Sequence, residues 1–192
     1  MAPLESRNIF SFFKEVIVVL IGVLIALFIN EWRASRNNEN FVSSVLEAVE
    51  KDIRSNKEDL EEVTAKHLRT IDTMVVYLED EELSIMEIVQ ELGGIQIAST
   101  KNISLHYMIG SRAELLDYEL IALLANIEST TGLLDRKFDK FLDYSYQTVE
   151  ATDAKSKRIF IVHLLNVVDS EQSLLELYDD FLQPLDSTTT IP

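Results

Sequence analysis

A run of fourteen residues without a polar side chain, Val16–Ile29, constrains the fold of this chain more than any other feature. It reads VIVVLIGVLIALFI, which as an α-helix has a length of about 21 Å. That length is short for a transmembrane helix, because a bilayer requires about 20 apolar residues. The residues on either side of the run therefore decide how it is interpreted.

Aromatic residues flank the apolar run on both sides and lengthen the segment that a membrane can hold. From Phe10 to Trp32 the helix measures about 34 Å, with aromatic rings at each end, where an interfacial belt places them. Lys14 lies one turn inside this segment, and its flexible side chain can extend outward to the headgroups. We therefore predict a transmembrane helix over residues 10–32. Its predicted interfacial anchors are Phe12, Phe13, Lys14 and Trp32.

A cleaved signal peptide is the main alternative for the same segment. The acidic Glu15 directly before the run is unusual for such a peptide, and residues 30–35, NEWRAS, contain no small-x-small cleavage site. A buried helix of a soluble protein is the second alternative. The sequence favours the membrane span over both.

The apolar helix has two different faces. Its small and polar residues fall within a sector of about 80° at 100° per residue, and large apolar residues occupy the opposite side, which suits lipid. Gly22 and Ala26 have the small-xxx-small spacing that lets two helix backbones approach closely. For Glu15, interfacial anchoring is favoured over a helix contact or proton handling, because it lies near one end of the span. The predicted membrane helix contact face consists of Glu15, Gly22, Ala26, Asn30 and Arg33.

The composition indicates that the rest of the chain is helical. Five glycines and three prolines in 192 residues are too few for the many turns of a β-sandwich or barrel. The absence of cysteine excludes disulfides, cysteine-ligated zinc, iron–sulfur clusters and thiol nucleophiles. The predicted fold class is all-α, with one N-terminal transmembrane helix that continues into, or is linked to, an antiparallel helical bundle.

The acidic charge of the chain lies beyond the apolar segment. The net charge is −16, and the first 39 residues hold four basic and four acidic side chains, so the excess belongs to residues 40–192. Such a surface repels phosphate backbones, so we expect no nucleic-acid partner. Its ordinary role is to keep the domain solvated.

Five segments are predicted along the chain. They are an N-terminal tail (1–9), the transmembrane helix (10–32), a polar juxtamembrane segment (33–40), an acidic helical domain (41–183) and a C-terminal tail (184–192). The domain begins with an amphipathic helix that runs to about Leu78. Its apolar positions recur at heptad spacing with polar interruptions that include Asn56 and His67, and later positions drift off the heptad, which favours packing inside a bundle.

Local signals predict the remaining elements of the domain. Ser84 and Glu87 predict a capping box for a short helix that ends at Gly93. Residues 105–116 predict helix in pieces broken near Gly110, and Asp117 is a candidate N-cap for the helix that follows.

Two further predictions concern the C-terminal half. Gly132 predicts a kink or a turn. Thr152 and Asp153 are candidate caps for a last helix that ends near Leu182, before Pro184. Within that helix, the stretch IFIVHLLNVV is apolar almost all round and predicts a central position in the bundle.

The sequence contains no recognisable catalytic or metal-binding pattern. His67, His106 and His163 are far apart and lie in no spacing that places two ligands on one helical face, and His163 is expected to be a hydrogen-bonded core residue. Asp135, Asp139 and Asp143 form a row of acidic residues with helical spacing. The basic residues Arg136, Lys137 and Lys140 lie between them, which predicts a solvated, salt-bridged surface. We expect no catalytic residue, no metal, no cofactor and no enzymatic activity.

The stretch KEVIVVLIGVLIALFINEWRASRNNE, from Lys14 to Glu39, resembles the N-terminal hallmark of an uncharacterised bacterial single-span membrane family, domain of unknown function 6090. The resembling features are Glu15, Gly22, Ala26-Leu27, Ile29-Asn30 and Trp32. The likeness covers the first third of the chain, and beyond it only the helical pattern and SLHYMIGSRAELL are similar. Phe28 and the short N-terminal tail depart from the pattern. The resemblance implies a single-span envelope protein of Gram-negative type without assigned catalytic residues.

Together these observations predict a non-catalytic, membrane-anchored helical protein, a scaffold or accessory subunit that contacts another membrane protein or a second copy of itself. The predicted location is the bacterial inner membrane with the acidic domain in the periplasm, although Arg7 and Lys14 nearly balance Arg33 and Arg36 across the span. An extracytoplasmic ligand-binding or sensing module is the alternative. A membrane hydrolase or transferase is the least favoured function.

Overall fold

The computed structural model describes residues 5–189, with side chains from residue 11 to residue 185. This part of the chain contains no β-strand, which confirms the predicted all-α class. Its elements are α1 (Glu5–Val76), α2 (Ile85–Glu91), α3 (Ile103–Arg112), a 3-10 turn (Ala113–Leu115), α4 (Tyr118–Thr148) and α5 (Ala154–Thr189). The outer ends of the two predicted tails, residues 1–4 and 190–192, lie outside the described residues, as does the side chain of Phe10.

The chain divides into two units, Met1–Ser44 and Val45–Pro192, and α1 contributes residues to both. From residue 5 onward the first unit is helical, including the predicted juxtamembrane segment 33–40. In the described chain, α1 is the one helix long and apolar enough to cross a membrane, because its most apolar window has a mean hydropathy of 2.7 and none of it is buried. A signal sequence would share these properties.

The second unit has a hydrophobic core to which α1, α4 and α5 all contribute. Among its fully buried residues are Leu60 of α1, Phe141 of α4 and Leu164 of α5. Phe141 and Phe160 pack edge to face, with ring centroids 5.1 Å apart, and so join α4 to α5. Aromatic pairs in this geometry contribute stability beyond the area that they bury.

Three side-chain contacts join α5 to α1 and to Tyr77, the residue that directly follows α1. Lys57 Nζ lies 2.6 Å from Asp179 Oδ1, His67 Nδ1 lies 2.9 Å from Glu171 Oε1, and Lys157 Nζ donates to the Tyr77 carbonyl at 3.0 Å. As the residue numbers rise along α1, those of the partners fall along α5. The contacts therefore follow opposite directions in the two helices.

Three of the predicted helix caps are confirmed. Ser84 and Glu87 form a reciprocal capping box before α2, in which Ser84 N donates to Glu87 Oε2 at 2.8 Å. Asp117 Oδ1 accepts from Leu120 N at 2.8 Å at the start of α4, and Asp153 Oδ1 accepts from Ser156 N at 3.0 Å at the start of α5. Each cap satisfies an amide that has no partner within its own helix.

After α2, Gly93 and Gly94 end the helix as predicted. Their φ angles are 87° and 84°, in the left-handed region that only glycine adopts without strain. The chain then continues without regular structure to Asn102, where α3 begins.

Of three other predicted interruptions, one is confirmed and two are not found. Helix over residues 103–115 does form in pieces, α3 and the 3-10 turn, and the break follows Arg112, two residues after Gly110. Gly132 lies inside α4, which has no turn there. Pro184 lies inside α5, which continues past the predicted end near Leu182 to Thr189. A helical glycine costs only about 1 kcal/mol relative to alanine, so the packing of the apolar stripes on either side of it outweighs this local preference.

The apolar stretch of α5 does not have the predicted central position. Phe160 and Leu164 are buried, whereas Val162 and Leu165 are 52% and 40% exposed. The helix therefore packs on one side only, and two of its large apolar residues remain at the surface of the unit.

Candidate functional site

The largest exposed apolar surface of the described chain lies on α1. Between Val16 and Ile29 its large apolar side chains are 46% to 71% exposed. Because apolar surface is unfavourable in water by about 25 cal/mol per Å², a continuous stretch of this length requires an apolar environment. A lipid bilayer or the apolar helices of other proteins can supply it.

All nine predicted site residues lie on this part of α1. Their roles as contact face and anchors stay predictions. The five contact-face residues, Glu15, Gly22, Ala26, Asn30 and Arg33, and the four anchors, Phe12, Phe13, Lys14 and Trp32, are exposed. A Cβ atom added at Gly22 would meet nothing within 4 Å, so the small face of the helix is open to an approaching backbone. The Arg36 guanidinium lies 5.5 Å from the centre of the Trp32 ring, within reach of a cation–π interaction.

A second candidate site is a buried polar pair in the other unit, formed by His67 of α1 and Glu171 of α5. Their side chains are 1% and 2% exposed, and His67 Nδ1 lies 2.9 Å from Glu171 Oε1. The other ring nitrogen, Nε2, lies 3.0 Å from the carbonyl oxygen of Gln96 in the irregular segment after α2. The Phe138 ring of α4 stacks on the imidazole, with ring centroids 6.2 Å apart. Three helices and one irregular segment thus meet at His67.

The two ring nitrogens of His67 have different surroundings. A carbonyl oxygen can only accept, so Nε2 carries a proton that it donates to Gln96. Nδ1 lies 2.9 Å from Glu171 Oε1, but it has no partner in hydrogen-bond geometry within the described residues. The contact between His67 and Glu171 is therefore a close approach of two buried ionisable side chains and not a hydrogen bond.

Glu171 is one of seven residues that line a small cavity of about 20 Å³. Its lining residues are Ile97, Ala98, Thr100, Leu134, Asp135, Phe138 and Glu171. Asp135 is exposed on α4, and the partial burial of its carboxyl, together with the nearby Asp139, raises its pKa. The volume suits one water molecule, and it is too small for an organic ligand.

Asn56 attaches the irregular segment to α1. Its side-chain amide donates to the Lys101 carbonyl at 2.9 Å and accepts from the Lys101 amide at 2.8 Å, so both backbone groups of Lys101 are satisfied. Asp59 accepts from Ser99 N at 2.5 Å one turn further along the helix. These contacts replace the backbone pairing that a segment without regular structure lacks.

Tyr178 of α5 is fully buried beside Asn56. Burial raises the pKa of its phenol to about 12, and Asn56 and Thr131 are close enough to lower it slightly. Neither reaches hydrogen-bond geometry with the hydroxyl, which has no partner within the described residues. The buried phenol is therefore held in its neutral form.

Lys157 is the fully buried cation of the described chain, and it lies at the C-terminal end of α1. Its Nζ donates to the carbonyls of Tyr77, at 3.0 Å, and of Asp80. Both carbonyls belong to the turn after α1, and that of Tyr77 directly follows the helix, at the end where the helix dipole places partial negative charge. Lys157 supplies both the charge and the donor, and so binds the start of α5 to the end of α1.

Sequence analysis did not identify the His67–Glu171 pair as a site. It predicted His163 to be the core histidine, but His163 is only half-buried and stacks on Tyr144 with ring centroids 5.0 Å apart. The signal that was present is the polar interruption at His67 within a seam of apolar heptad positions. Nothing in the local sequence around Glu171 distinguishes it from the many other acidic residues.

The other polar groups considered from the sequence form no site. In the described part of the chain, no cluster of three or more histidine, aspartate or glutamate residues has a geometry that could hold a metal ion. His106 Nδ1 lies 2.8 Å from Glu128 Oε1 at the surface. Lys137, which was expected to pair with the acidic row, donates instead to the Asn166 carbonyl at 3.0 Å and so bridges α4 and α5.

No protein-family model, curated protein or solved structure matches this chain.

Proposed function

We propose that this chain is a non-catalytic, single-span membrane protein that acts as a scaffold or accessory subunit of a membrane protein complex through helix–helix contacts. One observation carries the proposal: α1 exposes a continuous apolar surface over Val16–Ile29, none of which is buried by the described residues. Lipid covers the large apolar side chains, and the face with Gly22 and Ala26 docks a helix of another membrane protein.

In this proposal, the acidic unit is an antiparallel helical bundle in the periplasm of a bacterium, anchored in the inner membrane. The reversed order of the contacts between α1 and α5 supports the antiparallel arrangement. The resemblance of residues 14–39 to the family of domain of unknown function 6090 supports the envelope location. The acidic excess, which an anionic membrane surface repels, supports a unit that extends away from the headgroups.

Membrane insertion is tested by placing two arginines in the apolar run, as Leu20→Arg with Leu24→Arg. On insertion scales the twelve Val, Ile, Leu and Phe residues of the run contribute about 4–7 kcal/mol. The double variant removes two of them and adds two central arginines that cost about 5–7 kcal/mol, so it should leave the membrane fraction. The matched control is Val162→Arg with Leu165→Arg, which changes two exposed apolar residues of α5. The measurement is the share of protein that stays with membranes after alkaline extraction.

Two outcomes of this experiment count against the proposal. If the wild-type chain is extracted at alkaline pH like a soluble protein, α1 does not span the membrane. If the intact mass of the extracted protein lacks the N-terminal segment, the segment is a cleaved signal sequence and the anchor is absent.

The contact face is tested by enlarging its two smallest residues, as Gly22→Ile with Ala26→Ile. We expect the variant to lose its co-purifying partner in mild detergent and to migrate as a smaller assembly, since both changes prevent close helix approach. The control is Leu24→Phe, which enlarges the opposite, lipid-facing side. Mass spectrometry of the native assembly distinguishes a foreign partner from a second copy. An unchanged assembly size in the double variant would show that this face makes no contact.

A binding or sensing module is the second candidate function. The cavity that favours it has a volume of about 240 Å³ and an apolar lining that includes Ile85, Val89 and Phe160. Its lining offers only the side chains of Gln90 and Ser145 to orient a ligand, fewer polar groups than a specific binding site ordinarily has. We therefore place the scaffold function first.

A further inference from the structure

The apolar cavity of about 240 Å³, the α2 pocket, is lined by residues of α2, of the end of α4 and of α5. Met86 and Val89 of α2 and Val149, the residue that follows α4, are half-buried in its lining. Ile85 and Phe160 are its most buried lining residues, at 2% and 1% exposure. The pocket thus has an apolar interior and sides that reach the surface of the acidic unit.

Two backbone hydrogen bonds hold α2 against the end of α4. Ile85 N donates to the Ala151 carbonyl at 3.0 Å, and Met86 N donates to the Val149 carbonyl at 2.9 Å. The glycine turn that follows α2 brings Ile95 back to the same pocket. The backbone therefore forms the pocket before any ligand arrives, which lowers the cost of ordering it on binding.

The α2 pocket makes few polar demands on a ligand. Its lining includes two polar side chains, Gln90 and Ser145. Ser145 Oγ already donates to the Phe141 carbonyl at 2.8 Å, and Gln90 is exposed to solvent. An apolar ligand therefore leaves neither side chain unsatisfied, whereas a water molecule, which needs two or more polar partners, is a poor occupant.

We propose that the α2 pocket binds the alkyl chain of a small neutral amphiphile, whose polar head stays in solvent near Gln90. A water molecule takes up about 30 Å³ in the liquid, and a methylene group is of similar size. A pocket of about 240 Å³ therefore holds a chain of about eight methylene groups. This inference goes beyond the proposed scaffold function, because the pocket lies in the acidic unit and does not involve the apolar run of α1.

The charges around the α2 pocket select against an anionic head group. Glu87, Glu91 and Glu150 are exposed, and each directly adjoins a lining residue in the sequence. No basic side chain is among the described residues that line the pocket. A fatty acid would bring its carboxylate among these like charges, which repel it, whereas an alcohol, an ester or an amide does not meet this repulsion.

The volume of the α2 pocket separates such an amphiphile from a bilayer lipid. Each chain of a bilayer lipid covers half of a hydrocarbon core that is about 30 Å thick. That length takes more methylene groups than the pocket holds. The occupant is therefore a shorter, separate amphiphile and not a lipid of the surrounding membrane.

The test follows the methyl signals of isotope-labelled methionine by NMR in the full-length chain, held in lipid nanodiscs. Met86 lines the pocket, whereas Met74 and Met108 are fully buried outside its lining and serve as internal controls. The probe is n-octanol, and Met86→Leu assigns the signal. We expect octanol to shift the Met86 signal saturably and more than the signals of the two controls. Octanoate should bind at least about tenfold more weakly, because of its charge.

A series of straight-chain alcohols measures the length of the site. The affinity, expressed against the free alcohol concentration in water, should rise about two- to fourfold with each methylene group from pentanol to octanol. It should then level off at decanol, because further methylene groups no longer fit. Partition into the nanodisc lipid would instead give a gain that continues through decanol, and that outcome would overturn the proposal.

A filled pocket should no longer bind the probe. Val149→Phe places a ring in the pocket and should abolish the octanol-dependent shift of Met86, while Val162→Phe makes the same change at an exposed position of α5 and should retain it. Far-UV circular dichroism checks that both variants fold. The proposal is wrong if Met86 does not respond up to the solubility limit of octanol, if Met74 and Met108 shift as much, or if folded Val149→Phe binds octanol like the wild type. If Val149→Phe fails to fold, the alcohol series decides.

Discussion

Replacing Lys157 with methionine should destabilise the acidic unit, because the lysine binds the start of α5 to the end of α1. Its ammonium group is fully buried and donates to the carbonyls of Tyr77 and Asp80. Methionine preserves most of the apolar stem and removes the charge and both hydrogen bonds. The substitution therefore isolates the polar contribution of the side chain from its packing.

The size of the effect follows from three terms. Two hydrogen bonds from a charged donor contribute about 1.5–3 kcal/mol each, so about 3–6 kcal/mol is lost. The Tyr77 carbonyl keeps one partner, Asp80 N at 3.3 Å, so the larger penalty is at the Asp80 carbonyl. The variant also avoids the desolvation of a buried ammonium, which offsets part of the loss. We expect a net decrease of about 2–4 kcal/mol in the free energy of unfolding, a large fraction of the stability of an ordinary domain.

The assay is urea unfolding of the full-length chain in mild detergent, followed by far-UV circular dichroism and analysed by linear extrapolation. The matched control is Lys155→Met, two residues away and exposed, which should change the free energy by less than about 0.5 kcal/mol. An unfolding free energy of Lys157→Met equal to or above that of the wild type would refute the reasoning. It would mean that the desolvation of the ammonium cancels both hydrogen bonds.

Three further predictions use the same assay. His67→Leu and Glu171→Leu should each destabilise the unit by about 3–5 kcal/mol, because each leaves one buried ionisable group alone. The double variant should recover at least half of that loss. If the losses of the two single variants simply add in the double variant, the two side chains do not interact. Tyr178→Phe should leave the stability at neutral pH within about 1 kcal/mol, since the hydroxyl has no partner. The folded-state pKa of this phenol, about 12, lies above its ordinary value of 10, so stability is complete below pH 10 and falls as the pH rises from 10 to 12. Tyr178→Phe should lose less stability than the wild type in that window, and parallel curves would show that Tyr178 does not titrate there. Asp117→Ala should lower the stability by about 1 kcal/mol through loss of the α4 cap, whereas Asp117→Asn should retain most of it.

Much of the fold could be predicted from the sequence because its signals are local. The scarcity of glycine and proline, the apolar run and the heptad pattern indicated an all-α chain with one apolar N-terminal helix. The caps at Ser84, Asp117 and Asp153 were identifiable, since a capping side chain bonds to an amide only a few residues away. Such contacts form in the same way wherever the helix lies in the molecule.

Helix interruptions and the burial of apolar side chains were harder to predict, because long-range contacts decide them. Gly132 is a weak point of an isolated helix, yet α4 continues through it, since Thr131 and Leu134 on either side pack in the core and compensate the local cost. The helix α5 also continues through Pro184, although this residue and the residues on either side of it are exposed, and core packing does not explain that continuation. Likewise, the apolar stretch around Val162 is not buried all round, because only one side of α5 meets other helices.

The apolar run at Val16–Ile29 was determined by the sequence alone, since hydropathy is a property of the side chains and needs no partner from elsewhere in the chain. The buried polar contacts were decided only by the tertiary structure. His67 and Glu171 are separated by more than a hundred residues, and Lys157 meets carbonyl groups that no sequence pattern marks. A buried ionisable group is stable only when the fold places a complementary atom within hydrogen-bond distance, and that placement depends on how α1 and α5 pack.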